Sequence, residues 1–447
     1  MKMQQYLYNG HMEALQEPVS PPLLPLASAL NPSDREFLES MAAKHRITHQ
    51  QMRILIEQAI DLSIWNQGPI ASLWDENAGS GKQGKARLKA IIGDLMEKIS
   101  VLRREPTEYR DFHAKPTLST KITHVETLQD NKLLGRCPCP VSGEKTRCCN
   151  LLTLDAVQQC AFACSYCSIQ SFYHKNEIVF TGNLASRLEH LELPEATWHI
   201  GTGQSSDSLM WGNEHGILDA LADFARSHPS VVVELKTKSG RTDWIHTVKF
   251  PRNMIATWSL NAPTIIAKEE HKSASLEARL AAARKAADAG ILVGFHLHPM
   301  VHFSGWQHEY RKVVETITNM FGKEEVVMVS FGTLTFTKEV LRQLRQSGRP
   351  SRILQMELVE SAGKYSYPEE VKRNLFSHAY NCFPVEWKTM GGPFFYLCME
   401  LPQLWEPVLG RSYSDNASFE ADMKAHYLRK VGIDLIDVDI RYTNDDN

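Results

Sequence analysis

A chain of 447 residues, 43% hydrophobic and 23% charged, is long enough for two or three domains and has the ordinary make-up of a globular protein. Its 49 basic and 52 acidic residues leave a net charge of -3, which excludes a global positive field for nucleic acid, so any basic site has to be local. MKMQQYLYNGHMEALQEP has no apolar core of signal-peptide length, and no stretch approaches the roughly 20 uninterrupted apolar residues of a membrane helix. A cytoplasmic protein without a membrane partner is therefore expected. Nine cysteines, seven of them between Cys137 and Cys167, read as metal ligands in a reducing compartment rather than as a disulfide framework.

Residues 1–30 are polar and Pro-rich (PVSPPLLP) and predict an irregular arm. A helical domain over 31–120 follows. Ser33 with Glu36, and Thr48 with Gln51, have capping-box spacing. Met52, Leu55, Ile56, Ala59 and Leu62 then share one helix face, and Leu88, Ile91, Ile92, Leu95, Ile99 and Leu102 draw a second stripe. A helix-turn-helix DNA reader is disfavoured, because the second helix starts with too few basic or amide residues for groove readout. The connector 121–150 carries Cys137, Cys139, Cys148 and Cys149. These four are read as buried or shielding thiols rather than a second metal site, since the adjacent Cys148 and Cys149 seldom both reach one tetrahedral ion.

From Leu151 the pattern becomes an alternation of strands and helices, which predicts an α/β fold built as a partial (β/α)6 TIM-like barrel over 151–335. Strands are expected near 151–158, 196–202, 230–237, 254–260, 291–298 and 326–331. The clearest helix runs from about Ser275 to Ala289, with Gly290 as its stop. The remaining 336–447 predict a C-terminal α+β cap, in which PVEWKTMGGPFFYLCM is expected to form a hairpin around Gly391-Gly392.

The loop after the first barrel strand, CAFACSYC, holds Cys160, Cys164 and Cys167 at Cys-x3-Cys-x2-Cys spacing. Tetrahedral zinc wants four ligands and the loop offers three, whereas a cubane iron-sulfur cluster takes three cysteines and leaves one iron open. The bland alternative is a structural zinc site completed by His174 or a distant cysteine. Tyr166 places a flat aromatic group beside the thiols, able to stack on a bound heterocycle. Ligands bind at the carboxyl ends of barrel strands, and the loop lies where that rule puts it. The same rim carries Gly201 and Gly203 in HIGTGQ, Lys238 after the third strand, and Ser259 and Asn261 after the fourth. Lys238 suits a carboxylate and the last two suit a ribose, although each type alone is more often an ordinary loop residue.

These residues resemble the signature of the radical SAM superfamily, and the chain from about Leu151 to Leu409 is similar to its spore photoproduct lyase-like (DNA repair photolyase-like) group. The motifs are CAFACSYCSIQ, the QSSD of 204–207, ELKTKS at 234–239, TWSLN at 257–261, Glu270 with SLEARLAAARKAADAG, VGFHLHPM, KYSYP and FYLCMEL. The resemblance implies that Cys160, Cys164 and Cys167 ligate a 4Fe-4S cluster. It implies that S-adenosylmethionine meets the open iron and is cleaved to a 5′-deoxyadenosyl radical, with Tyr166, Ser206, Lys238, Ser259 and Asn261 contacting that cofactor. An electron donor such as flavodoxin or ferredoxin is implied as a partner. The family's hydrogen-donor cysteine is replaced here by Gln204, which has no weak S–H bond to give, and Ser168 stands where the lyase has a tyrosine. Spore photoproduct itself is therefore not the expected substrate. Cys398 is another thiol, expected to be buried in a strand.

The expected enzyme abstracts hydrogen from a nucleic-acid base or lesion. The alternatives are radical modification of a small molecule or a protein, and a metal-stabilised nucleic-acid-binding protein without catalysis. Lys338, Arg342, Arg345, Arg349 and Arg352 form the candidate phosphate stripe, against the plainer reading of a solvated helix end.

Overall fold

The computed structural model describes residues 25–113, 123–127, 132–137, 144–169 and 177–433. The expected arm up to residue 24, Cys139 and His174 lie outside them. No helix among the described residues is long and apolar enough to cross a membrane. The chain divides into two compact units, one made of the residues up to Ser63 with Gln67–Ile99, the other of Ile64–Asn66 with everything from Ser100 onward.

Three helices account for the N-terminal part: α1 (Pro32–Lys44), α2 (His49–Ile64) and α3 (Gly84–Arg104). At α2 the capping box is formed as its spacing predicts, with Gln51 N–H donating to Thr48 Oγ1 (3.3 Å) and Thr48 N–H to Gln51 Oε1 (2.9 Å). At α1 the expectation fails. Asn31, not Ser33, is the cap, its side chain accepting from Asp34 N–H, because Pro32 fits the first helical position and starts the helix two residues early. The apolar stripes of α2 and α3 are buried at Met52, Leu55, Ile56, Ala59, Leu62, Leu88, Ile91, Leu95 and Ile99.

The second unit is built on an eight-stranded sheet curled as a half-barrel. Its strands are β1 (Leu134–Arg136), β2 (Leu152–Leu154), β3 (His199–Thr202), β4 (Val232–Thr237), β5 (Met254–Leu260), β6 (Val293–Met300), β7 (Val326–Thr333) and β8 (Phe394–Leu397). They lie side by side in chain order, with only the β1–β2 pair antiparallel. The six expected parallel strands are thus all present. Three of the crossovers carry long helices, α4 (Ile217–Ser227) after β3, α5 (Pro263–Glu269) with α6 (Leu276–Asp288) after β5, and α7 (Trp306–Met320) after β6, whereas β4 reaches β5 through turns alone. Every residue of β5 and β7 is buried, as strands covered on both faces require. At α6, Ser275 caps by accepting from Ala278 N–H, and Gly290 at φ 81° ends the segment as expected.

Two expectations for strands are corrected. The first barrel strand does not run through 158: it stops at Leu154, and Val157–Gln158 pairs instead with Glu177–Thr181 in a separate three-stranded sheet. The break falls at Asp155, whose carboxylate accepts Ser205 Oγ (2.6 Å) from the loop after β3. The C-terminal hairpin is also absent. Val385–Lys388 is a 3-10 turn, and Phe394–Leu397 is the eighth barrel strand, parallel to β7. The Gly-Gly pair closes a local turn, Gly392 N–H donating to Thr389 O (2.9 Å), that joins no two strands, and a Cβ on Gly392 would lie 1.9 Å from Trp387 O. Before β8 come α8 (Lys338–Ser347) and α9 (Glu369–Cys382).

Candidate active site

The cysteine loop is turned by two non-glycine residues in the left-handed region, Gln159 (φ 72°) and Ala163 (φ 54°). It is tied at both sides. Gln159 N–H donates to Ser205 O (2.8 Å), while Ser165 N–H donates to Glu269 O (2.8 Å) and Lys272 N–H to Phe162 O (3.1 Å), which fastens the loop to the α5–α6 connection. These ties direct the loop over the carboxyl ends of β3 to β5.

Beneath it lies a cavity of about 270 Å³ whose wall includes Cys160, Cys164, Cys167, Tyr166, Ser206 and Lys238. Gly203 and Ser259 complete the set of predicted residues that meet there. Gly203 has both a positive φ (82°) and a close neighbour, since a Cβ would sit 2.8 Å from Lys236 O. Gly201 instead faces a second, inner cavity. Asn261 is not brought to either wall. It is fully buried, its amide donating to Pro299 O (2.9 Å) and its carbonyl oxygen accepting from Tyr310 OH (2.7 Å) and Ala262 N–H (2.9 Å), so its capacity is spent inside the fold.

The charge that organises the outer cavity is carried by residues to which spacing assigned no role. Glu270 is fully buried. It accepts from Tyr166 OH and Arg279 Nη2 at short range, from Ser273 Oγ (2.9 Å), and from Lys238 Nζ (3.4 Å). Burial pushes its carboxyl up, but Lys238 and Arg279 outweigh that and hold it at about 2. Lys238 donates to Tyr166 OH (2.7 Å), reaches within 3.8 Å of Cys164 Sγ and lies 4.7 Å from the Tyr166 ring centre. Asp207 sets the backbone of this corner. One oxygen takes Thr237 Oγ1 (2.6 Å) and the N–H groups of Leu209 and Met210, and the other takes Lys238 N–H (2.7 Å). Ser206 Oγ donates to Gln159 O (2.6 Å) and accepts from Trp211 Nε1 (3.2 Å).

Among the described residues, no group of three or more His, Cys, Asp or Glu side chains is gathered tightly enough to hold a metal ion. The loop offers three thiols spread around a cavity. Burial pushes Cys164 up to about 12, so metal binding has to displace its proton, and the Lys238 ammonium favours the thiolate that results. A three-thiol set facing one cavity beside a fixed cation fits an iron-sulfur cluster as donor chemistry.

The connector cysteines are placed differently from the expectation in one respect. Cys137 is disulfide-bonded, which withdraws it from metal binding, whereas Cys148 and Cys149 are thiols on the inner cavity wall. Cys398 directly follows β8 and is half-buried on the wall of both cavities, not inside a strand, with Gln204 on the same two walls. Ser168 lines the outer cavity. On the basic stripe, Arg342 pairs with Glu339 (2.7 Å), and Arg352 donates to Glu108 O (2.6 Å) with its guanidinium over Phe112. Arg342 and Arg352 are therefore engaged within the protein, and Arg345 and Arg349 have interactions of their own.

A family model described as spore photoproduct lyase matches residues 156–375. A spore photoproduct lyase of Clostridium acetobutylicum is 22% identical over 179 residues, covering 39% of this chain and 53% of that protein. One from a Geobacillus species is 27% identical over 133 residues, covering 29% of this chain and 38% of that protein. The matched stretches thus span about half or less of those relatives' own lengths. A solved structure of spore photoproduct lyase complexed with dinucleoside spore photoproduct is 19% identical, with a TM-score of 0.49, over 62% of this chain and 82% of the other.

Proposed function

We propose, from the match of the spore photoproduct lyase model to residues 156–375, that this chain is a radical SAM protein of that kind and that its barrel is the reaction chamber of an enzyme that abstracts hydrogen from a substrate. The observation that carries this reading is the convergence of Cys160, Cys164, Cys167, Tyr166 and Lys238 on one cavity. The three cysteines would hold a 4Fe-4S cluster. With S-adenosylmethionine bound, that cluster supplies a 5′-deoxyadenosyl radical. The protein's own work is to hold and to shield. Lys238 stabilises the charge on Cys164 and is positioned for a carboxylate, and the Glu270–Arg279 pair keeps Tyr166 from turning. Ser206, Ser259 and the Gly203 backbone give the cofactor polar contacts while the loop over the strand ends excludes water. The electron comes from outside, from a flavodoxin- or ferredoxin-type donor.

The substrate read from the family is a nucleic-acid base or lesion. Gln204, in place of a thiol, argues against spore photoproduct itself, because an amide offers no weakly held hydrogen. The basic stripe of Lys338, Arg342, Arg345, Arg349 and Arg352 is the surface that would meet phosphates. The test is 5′-deoxyadenosine formation by the anaerobically reconstituted protein with S-adenosylmethionine and dithionite. Product from the wild type and none from Cys164→Ala is expected. A wild-type protein that carries a full cluster and yields no product, with or without added DNA and cell extract, overturns the proposal.

A further inference from the structure

Strand β4 and the residue that follows it set three ionisable side chains, Glu234, Lys236 and Lys238, on the barrel interior, because alternate residues of a strand share a face. Two of the three are matched. Lys238 has Glu270, and Glu234 accepts His296 Nε2 (2.7 Å) and Thr257 Oγ1 (2.8 Å) on one oxygen and His199 Nε2 (2.9 Å) on the other. Among the described residues the Lys236 ammonium makes no hydrogen bond or ion pair, although it stands on the wall of both cavities. An ammonium held in a protein interior normally has a counter-ion in direct contact. The Glu234 carboxylate on the same wall acts on Lys236 only at a distance, its oxygens being taken by His199, His296 and Thr257.

A second orphan faces the same space. His199 is buried on the inner cavity wall, and its Nδ1 has no hydrogen-bond partner. Its other nitrogen lies against the Glu234 carboxylate, which can only accept, so Nε2 carries a proton and, in the neutral ring, Nδ1 is the acceptor. The inner cavity, of about 190 Å³, thus offers a cation and an acceptor within walls that are otherwise largely apolar, among them Leu151, Leu397 and Phe419. It joins the outer cavity along a shared wall of Gln204, Lys236, His298, Cys398 and Met399.

We infer that the inner cavity is the substrate pocket, and that its ligand is a small molecule bearing a carboxylate or phosphate for Lys236 and an N–H or O–H for His199 Nδ1. This deepens the proposed function and rests on it, since the outer cavity is assigned there to the cofactor. An anion at Lys236 gives the ammonium a direct partner, and a donor at His199 satisfies an Nδ1 that has no hydrogen-bond partner. Burial holds Lys236 below its ordinary range, so an incoming anion also stabilises its charged form.

The test is equilibrium dialysis of the full chain, without reductant, against two matched pairs: thymidine 5′-monophosphate with thymidine, and 4-hydroxybenzoate with 4-hydroxybenzamide. At least one anionic member is expected to bind tenfold or more tighter than its neutral analogue. That preference should fall to within twofold in Lys236→Met, or in Lys236→Gln if the first variant does not fold, and should persist in Lys236→Arg. The pair that responds identifies the anion as phosphate or carboxylate. No preference in the wild type, or one that survives loss of the ammonium, overturns the inference. Because binding is read without turnover, failure here is separable from failure of the radical chemistry.

Discussion

Glu270 and Glu234 are both buried carboxylates facing the barrel, yet they are held by opposite means. Glu270, at the mouth, is clasped by two full cations, Lys238 and Arg279, brought by β4 and α6. Glu234, deeper in, is held by the imidazoles of His199 and His296 and the hydroxyl of Thr257, all on strands of the sheet. Burial pushes His296 down to about 4, so it is neutral at pH 7, and the network runs on through Ser330 Oγ (2.7 Å) to His298 Nε2 (3.1 Å). The outer site is thus a rigid ionic clasp and the inner one a carboxylate held by hydrogen bonds from side chains on the sheet. A clasp keeps loops of different origin in place.

The largest expected effect comes from breaking the clasp. Glu270→Gln leaves Arg279 and Lys238 buried without their anion and should cost about 3–5 kcal/mol in urea unfolding. The next separates the two regions by acid. For His296 the folded value, about 4, lies below the unfolded 6.5, so the unfolded chain takes up the proton first. Its contribution is complete above pH 6.5 and is lost as pH falls from 6.5 towards 4, by up to about 3 kcal/mol. For Glu270 the folded value, about 2, lies below 4.5, so its contribution is complete above 4.5 and is lost as pH falls from 4.5 towards 2. Unfolding free energy measured from pH 8 to 4 should therefore decline before the clasp titrates, and His296→Gln should flatten that early decline. An unchanged slope would show that the inner network is not neutral. The smallest effect sharpens the same point. Thr257→Val removes one of three hydrogen bonds to Glu234 and should cost about 1 kcal/mol, far less than breaking the clasp.

Much of this site could be read from local pattern. MIATWSL gives a strand with the expected ends, and the cysteine spacing and the strand-end rule together place the loop over the cavity. What could not be read is what pairs across long separations. FFYL beside Gly-Gly has the local look of a hairpin, but its partner is β7, some sixty residues earlier, and no periodicity carries that information. Asn261 shares the rim with Ser259, and only register shows that its amide is taken by Pro299 and Tyr310. Arg279 sits on the buried side of α6, where a charge contradicts the amphipathic pattern. That contradiction was the available signal for its pairing with Glu270.

Strand β8 has a further consequence, for how the site comes into being. Both cavity walls include Cys398 and Met399, and the inner wall includes Tyr396 as well. All three belong to, or directly follow, a strand that reaches β7 only after α8 and α9 have been made. A chain still emerging from the ribosome has the three cysteines of its loop long before it has a closed chamber around them, and its β7 is meanwhile an open edge. The chamber is therefore sealed from water only by the last strand to be made.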